Sequence, residues 1–577
     1  MPTKPNKDVV LRIENLSIGF NPKQAALLAV KNISFELKRN TILGVVGESG
    51  SGKSVSSLSI LRLLQEPPAH YPQGKIWLHT KEGEIDILQL DKSKMENIRG
   101  RFVSMIFQEP MTSLNPTMKC GEQIIEAILA HQKVTPKEAK KRALELMHEV
   151  MLPRPNEIFN VYPHEISGGQ KQRIMIAMAL SSNPEVLIAD EPTTALDVTV
   201  QKTILELLIA LKDKYGMSIL FITHDLGVIA DIADDVLVMY KGEVVEQGNA
   251  KNIFKNPQHP YTKGLLHCRP NIEKRTYRLP TIHEFLLGEK ELLKDRFKEV
   301  SLNDRTLNHA QIYAQEPLLV VESLEKSFVL KRTVFGKTTA KHQAVNKVSF
   351  EIYKGETMGL VGESGCGKTT LGRTLMRLLE PSSGKIHYQG MDVTKMSKKD
   401  LQKFRQKVQI IFQDPYSSLN PRISVGEAIM EPMFVHKTFG TYKECEEYAH
   451  YLMDKVALSK DSFNRYPHEF SGGQRQRVCI ARSLSLKPEL IICDESVSAL
   501  DVSVQAQVLN LLNDLKEDFG LTYVFISHDL SVVKYMSDRM MVMKDGNMVE
   551  FGDSDAIYAH PQTTYTQGLI ASIPGLQ

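Results

Sequence analysis

The sequence predicts an α/β protein of two homologous domains, each built on a parallel sheet, and three observations carry that reading. First, GESGSGKS (Gly47–Ser54) recurs as GESGCGKT (Gly362–Thr369), and both fit G-x-x-x-x-G-K-[ST] directly after an apolar, strand-like run. Chance supplies roughly 0.02 such matches in a chain of this length and composition, so two of them mark a repeat. Second, later residues keep register between the copies: Lys53 to Lys368 is an offset of 315 (368 − 53), Gln108 to Gln413 of 305 (413 − 108), and Glu191 to Glu495 of 304 (495 − 191). Third, apolar strand-like runs alternate with helical patterns in both halves, the arrangement of a parallel sheet with crossover helices.

Each element follows from its residues. In the first copy LRIENLSIGF and ISFELKRNTILGVVG alternate β-branched residues and read as strands, the last one feeding the phosphate loop and a helix from Lys53. From about Pro110 to Pro163 the spacing turns helical (EQIIEAILAH, AKKRALELMHEVM) with no strand between, which predicts an inserted helical subdomain. A Ser-Gly-Gly turn then opens a helix over Gly168 to Leu180, followed by the buried strand VLIAD, the helix ILELLIALKDKYG and the strand SILFITH. The second copy repeats this order with FSGGQRQRVCIARSL, LIICD, VLNLLNDLKEDFG and TYVFISH.

About ten extra residues of the first copy fall where PPAHYPQGKIWLHTKEGEIDIL faces EPSSGKIHYQGMDV, and a longer loop between strands is expected there. The expected domains are 1–268 and 317–577, joined by a linker over 269–316. Within it, IHEFLLGEKELLKDRFKEV puts Ile282, Phe285, Leu286, Leu292, Leu293 and Phe297 on one face of a short amphipathic helix in a tether.

With 577 residues, 42% hydrophobic and 24% charged, the composition is that of soluble globular protein. No apolar run approaches the ~18 residues that span a bilayer, and MPTKPNKDVV has no apolar signal core, so a cytosolic chain is expected unless something recruits it. The net charge of +3 is too mild and too evenly spread to imply a nucleic-acid partner. Cys120, Cys268, Cys366, Cys445, Cys479 and Cys493 form no C-x-x-C pair and read as reduced thiols. Cys366 takes the slot of Ser51 and reads as a small filler.

The chemistry begins at the phosphate loops. The backbone around Gly47, Ser49, Gly50, Ser51 and Gly52, and around Gly362, Ser364, Gly365, Cys366 and Gly367, would close around a β-phosphate. Lys53 and Lys368 would reach the β/γ oxygens, and the hydroxyls of Ser54 and Thr369 would ligate Mg²⁺. At the ends of VLIAD and LIICD, Asp190 and Asp494 are placed to hold Mg²⁺ through water, and the following Glu191 and Glu495 to polarise an attacking water.

ISGGQ (Ile166–Gln170) and FSGGQ (Phe470–Gln474), found with the histidines of FITHD and FISHD, resemble the signature and switch motifs of ABC ATPases over nearly all of both halves. That resemblance implies two tandem P-loop ABC ATPase domains, each a RecA-like core with an antiparallel β subdomain and an inserted helical subdomain, and ATP as the nucleotide. It makes Phe20 and Phe328 candidates for stacking on adenine, each also a candidate core residue. Gln108 and Gln413 resemble the Q-loop glutamine, which approaches Mg²⁺ and water and senses a membrane subunit; His224 and His528 resemble the switch histidine at the γ-phosphate. Asp197 and Asp501, in TALD and SALD, resemble the D-loop that crosses between halves.

The same resemblance implies that Ser167, Gly168, Gly169 and Gln170 close on the ATP of the second phosphate loop, and Ser471, Gly472, Gly473 and Gln474 on that of the first. Two ATPs would then be sandwiched between halves placed head to tail, and hydrolysis would open them. Both glutamates, histidines and signatures are present, so two working sites are expected. DEPTTALD becomes DESVSALD in the second half, with Ser496 and Val497 for Pro192 and Thr193, and a looser turn with a slower second site is expected.

The strings FQEPMTSLNP and FQDPYSSLNP, with the tails NPQHPYTKGLL and HPQTTYTQGLI, resemble oligopeptide and dipeptide importer ATPases. GESGSGKSVSSLSILRLL followed by PPAHYPQG looks most like the fused subunit of microcin C and peptide (Yej-type) importers, with glutathione-type fused subunits as close relatives. This implies two integral-membrane permeases docked at the helical subdomains and Q-loops, an extracytoplasmic substrate-binding protein, and a peripheral place on the cytoplasmic face of the plasma membrane. The transported solute is then chosen by the other subunits. Members with an iron–sulfur centre carry a cysteine cluster near the first tail; here only Cys268 lies nearby, and no cluster is expected. Two other readings stand beside this one. A ribosome-associated tandem ABC translation factor would carry a long, strongly basic helical linker where this chain mixes both signs, and the matching SLNP and tail strings have no reason to exist in that class; an ATPase of a sugar importer is the other.

Overall fold

The computed structural model describes residues 8–573 apart from 21–27, 81–82, 109–112, 195, 289–293, 295, 333–337 and 499. The described residues divide into two units, 8–266 and 267–573.

The strands of the first unit are β1 (Val9–Phe20), β2 (Leu28–Lys38), β3 (Ile42–Val46), β4 (Ala69–Thr80), β5 (Gly83–Asp86), β6 (Val103–Ile106), β7 (Val186–Asp190), β8 (Ser218–Thr223), β9 (Asp235–Tyr240) and β10 (Glu243–Asn249). They form an antiparallel sheet in the order β2-β1-β4-β5 and a larger sheet in the order β10-β9-β3-β8-β7-β6. In the larger sheet every pair is parallel except β9 with β10. The runs ILGVV, VLIAD and SILFIT are buried along their whole length, as strands covered on both faces must be.

The second unit repeats the plan with β11 (Pro317–Arg332), β12 (Thr338–Tyr353), β13 (Thr357–Val361), β14 (Ser383–Tyr388), β15 (Met391–Asp392), β16 (Val408–Ile411), β17 (Leu490–Asp494), β18 (Thr522–Ile526), β19 (Arg539–Lys544) and β20 (Asn547–Asp553). Its sheets run β12-β11-β14-β15 and β16-β17-β18-β13-β19-β20. In each unit one continuous apolar cluster joins the two sheets, Ile13, Ile76 and Val45 belonging to the first and Val321, Ile386 and Leu360 to the second.

The inserted helices form where the spacing predicts them. Cys120–His131 and Pro136–Glu149 pack on each other and on Gly168–Ala179, and Val425–His436 and Tyr442–Lys455 do the same with Gly472–Leu484. Pro136 is the first helical residue inside a Thr135/Glu138 capping box, and Thr441/Glu444 caps the matching helix, so each start is fixed by its own side chains.

Two expectations are corrected. The extra residues of the first copy do not make a loop; they lengthen paired strands. β4 and β5 have 12 and 4 residues against 6 and 2 in β14 and β15, and β4 follows β1 as far as Phe20 opposite Ala69. β14 stops at Ser383 opposite Glu325.

Nor does the segment 269–316 run free as a tether. It packs on the second unit, where Arg275 donates to the carbonyls of Tyr535 and Ser537 and to Asp555, and Arg305 to the carbonyl of Asp538 and to Asp553. Buried Asn510 pairs with both the N–H and the carbonyl of Leu279, at 2.9 and 2.8 Å. These two arginines are thus spent on backbone carbonyls and carboxylates of one domain. Among the described residues its predicted helix is formed over Ile282–Leu287, closed by Gly288, Lys294 and Arg296 are again helical, and a further helix spans Leu302–Tyr313. Ile282 is buried, Leu286 and Phe297 are exposed, and Leu292 and Leu293 lie outside the described residues.

Candidate functional site

The parallel strands β3 and β13 aim their carboxyl ends into the phosphate loops. At Gly47 (φ 154°) and Gly362 (φ 148°) an added Cβ would lie 2.2 Å from the carbonyl oxygens of Met239 and Met543, so only glycine lets the chain turn there. Lys53 and Lys368 are buried and fold back onto the loops. Lys53 Nζ donates to the carbonyls of Gly47 and Glu48 at 2.7 and 2.8 Å, and Lys368 Nζ to those of Gly362 and Glu363 at 2.7 and 2.9 Å. Each ammonium thus occupies the mouth of its loop, where a phosphate oxygen would replace the carbonyls. Cys366 is buried, with Sγ 3.8 Å from Lys368 Nζ, and burial pushes its thiol up. It fits the filler reading.

At the ends of β7 and β17 the carboxylates meet the first turn of the loop helix. Ser54 Oγ donates to Asp190 at 3.2 Å and Thr369 Oγ1 to Asp494 at 2.8 Å. Burial pushes the Asp190 carboxyl up to about 6, against the Ser54 hydrogen bond and Lys53. Asp494 is raised as well, by burial, with Thr369 and Arg373 opposing. A buried carboxylate whose charge is this poorly compensated, beside a half-buried hydroxyl, fits a divalent cation.

Glu191 and Glu495 both adopt the left-handed backbone region, at φ 48° and 49°, an uncommon conformation for a glutamate that sites of chemistry often retain. Gln108 Nε2 donates to Glu191 at 3.0 Å, Thr194 Oγ1 donates to it at 2.9 Å, and His224 Nδ1 lies 3.2 Å away. Burial opposes ionisation of Glu191, but His224, Thr194 and Lys53 together hold its carboxyl down, to about 2. In the second unit Gln413 donates to Glu495 at 2.6 Å and His528 Nδ1 stands 3.8 Å away; burial again opposes a net lowering that His528 dominates. The turn after the glutamate closes with and without Pro192, Thr194 N–H donating to the Glu191 carbonyl at 3.2 Å and Ser498 N–H to that of Glu495 at 3.3 Å.

Ser167 and Ser471 cap their helices in capping boxes with Gln170 and Gln474, which consume the N–H groups of the serine and the glutamine. The N–H groups of Gly168, Gly169, Gly472 and Gly473 have no intrahelical acceptor and form an anion-binding end. An added Cβ on Gly169 would sit 2.7 Å from Val200, and on Gly473 2.3 Å from Val504, so these glycines admit the next helix closely. Asp197 caps that helix through Val200 N–H at 2.9 Å, and Asp501 holds the matching position.

A cavity of about 350 Å³ in the second unit brings together Phe328, Ser364, Gly365, Gly367, Lys368, Thr369, Gln413 and Glu495, with His342 and Ala344. Phe328 is 38% exposed on that wall, which favours the stacking role over the core role. Phe20 is half-buried at the end of β1. The lining includes no signature residue. Sequence reading missed Thr194, whose only signal is a hydroxyl three residues after the glutamate, and His342, which stands opposite Phe328 in the strand register with no motif to mark it.

Phosphate loops, acidic strand ends, capped Ser-Gly-Gly helices and histidines at the ends of β8 and β18, twice over, define an ATPase of the cassette type. Residues 30–194 and 345–498 match the ABC transporter family, and the chain belongs to it. Residues 245–292 and 549–577 match the C-terminal region of oligopeptide/dipeptide transporters, which makes it an oligopeptide/dipeptide-type ABC ATPase with two ATPase domains. Among its relatives is the glutathione import ATP-binding protein GsiA of Escherichia coli O6:H1, 46% identical over 98% of this chain and 89% of that protein. The same-named proteins of Shigella boydii and Salmonella choleraesuis are 46% and 45% identical with the same coverage. The solved dimeric cassette MJ0796 bound to ADP and Pi is 26% identical, covering 41% of this chain and 98% of that one, with a TM-score of 0.37. The chain is thus an ATPase coupled to transport.

Proposed function

We propose that this chain energises the import of peptides or peptide-like compounds, including the microcin C class carried by Yej-type systems and glutathione, through two separate integral-membrane permeases. The observation that carries the reading is the pair of transporter tails, one after each ATPase core. An extracytoplasmic binding protein delivers the solute, and the chain works at the cytoplasmic face of the membrane. Among the described residues no helix is long and apolar enough to cross a membrane, so the path lies in partner subunits on this reading. Support for the docking face comes from an open groove of about 380 Å³ between the Gln413 loop and the inserted helices, lined by Phe412, Glu431, Val435, His436 and Arg482.

In the proposed cycle Lys53 and Lys368 bind β/γ-phosphate oxygens, and Phe20 and Phe328 stack on adenine. Ser54, Asp190 and Gln108, and Thr369, Asp494 and Gln413, would hold Mg²⁺, which supplies charge neutralisation for the phosphates. Glu191 and Glu495 polarise the attacking water, oriented by His224 and His528. The unpaired glycine N–H groups behind Ser167 and Ser471 serve the ATP of the opposite domain, with Asp197 and Asp501 at the crossing. On this account the domains are 1–268 and 317–577, and 269–316 connects them.

Purification from membranes with identification of what co-elutes tests the reading. Two permeases and transport-stimulated ATP hydrolysis are the expected result; co-sedimentation with ribosomes would overturn it.

A further inference from the structure

Each transporter tail reaches the phosphate loop of its own domain. The Tyr261 hydroxyl accepts a hydrogen bond from the backbone N–H of Glu48 at 3.0 Å, and the Tyr565 hydroxyl accepts one from that of Glu363 at 3.2 Å. The two tyrosines are 304 residues apart (565 − 261), the offset of the other late motifs, so the contact is a property of the repeat. It links residues 213 and 202 positions apart in sequence.

The contacted peptide is the one the loop lysine holds from the other side. Its carbonyl, that of Gly47, accepts from Lys53 Nζ at 2.7 Å, and the Gly362 carbonyl accepts from Lys368 Nζ at 2.7 Å; the next carbonyls, of Glu48 and Glu363, also accept from the lysines, at 2.8 and 2.9 Å. When a phosphate draws the lysine away, the tyrosine still fixes the first turn of the loop. The tail itself is anchored. Glu246 on β10 accepts from the N–H groups of Gln258 and His259, and Glu550 on β20 from those of Gln562 and Thr563. Tyr261 is fully buried, its ring 4.3 Å from that of Tyr240, and Tyr565 lies 4.9 Å beneath Lys544 Nζ.

We propose that Tyr261 and Tyr565 are positioning residues for ATP binding, through which the C-terminal tail of each domain presets its phosphate loop. The hydroxyl acts through the backbone N–H of Glu48 or Glu363.

The test uses the full chain with one loop disabled at a time and ATP binding measured by calorimetry. In a Lys368→Ala chain, where only the first loop binds, Tyr261→Phe is expected to weaken ATP binding about three- to tenfold, the range of one lost hydrogen bond. In a Lys53→Ala chain the same substitution leaves binding unchanged, and Tyr565→Phe gives the reverse pattern. In the otherwise unaltered chain KM for ATP rises while kcat stays within about twofold. Should Tyr261→Phe bind ATP as tightly as tyrosine while Tyr261→Leu loses affinity, the ring's packing is the whole role and the proposal falls. Equal weakening in both disabled backgrounds would mean general destabilisation and overturns it too.

Discussion

In the first domain Glu191 is gripped by Gln108, Thr194 and His224, all within 3.2 Å, whereas in the second Glu495 has Gln413 close by, His528 at 3.8 Å, and Ser498 turned to the backbone carbonyl at 2.9 Å. The frames are otherwise alike, down to the left-handed glutamate and the closed turn behind it. The difference therefore lies in side-chain fixation of one carboxylate. A carboxylate held by three neighbours loses less freedom when it must meet a water in one orientation. The changed residues Ser496 and Val497 are both buried and leave the turn intact, so the asymmetry arises one step further along the loop, at Thr194 and Ser498.

The largest expected effect tests that asymmetry directly. Glu191→Gln should cut ATP turnover by about a hundredfold or more, the scale of a lost general base, and Glu495→Gln by a smaller factor, the two differing by at least about threefold. Steady-state hydrolysis by the two single variants decides it, and equal losses would remove the functional asymmetry. A smaller effect separates fixation from chemistry. Thr194→Val should lower kcat about three- to tenfold, because it removes a hydrogen bond to the carboxylate itself, whereas Ser498→Ala should stay within about twofold. If both hydroxyls matter equally, the carbonyl contact of Ser498 is not how it sits during turnover.

Much of this was legible in the sequence because the repeat enforces local chemistry at fixed spacing. The phosphate loops, strand-end carboxylates and capped Ser-Gly-Gly helices depend on residues within a few positions of one another, and Gly47 or Ser167 can be read where it stands. The direction of the Thr194 and Ser498 hydroxyls was not legible, since both residues offer the same group at the same spacing. The longer β4–β5 hairpin was read as a loop because an offset counts residues and says nothing of pairing. Arg275 and Arg305 are two of many charges in a linker of mixed sign, and the carbonyls of Lys534 to Asp538, more than two hundred residues away, with Asp553 and Asp555, make them anchors. Tyr261 and Tyr565 stood inside the tail strings, but nothing local links them to a loop two hundred positions earlier.

The smallest expected effect concerns the strand-end aspartates and their dependence on pH. Asp190 is raised to about 6 by burial, so its carboxyl is comfortable protonated and costs stability once ionised. Because the folded value lies above the unfolded one, the favourable contribution is complete below about pH 4 and is lost as pH rises through about 6. In the absence of nucleotide and metal, Asp190→Asn should therefore match the parent chain near pH 4 and gain roughly 1–3 kcal/mol by pH 8, read as a melting shift of about 2–5 °C for its domain. Asp494→Asn should gain less, since Arg373 and the 2.8 Å bond from Thr369 already compensate the Asp494 charge, whereas Leu58 stands at the place of that arginine in the first copy. Melting curves of the two variants across that pH range measure the difference, and a larger gain at Asp494 would mean that the charge around the two cation sites is distributed opposite to the fixation of their glutamates.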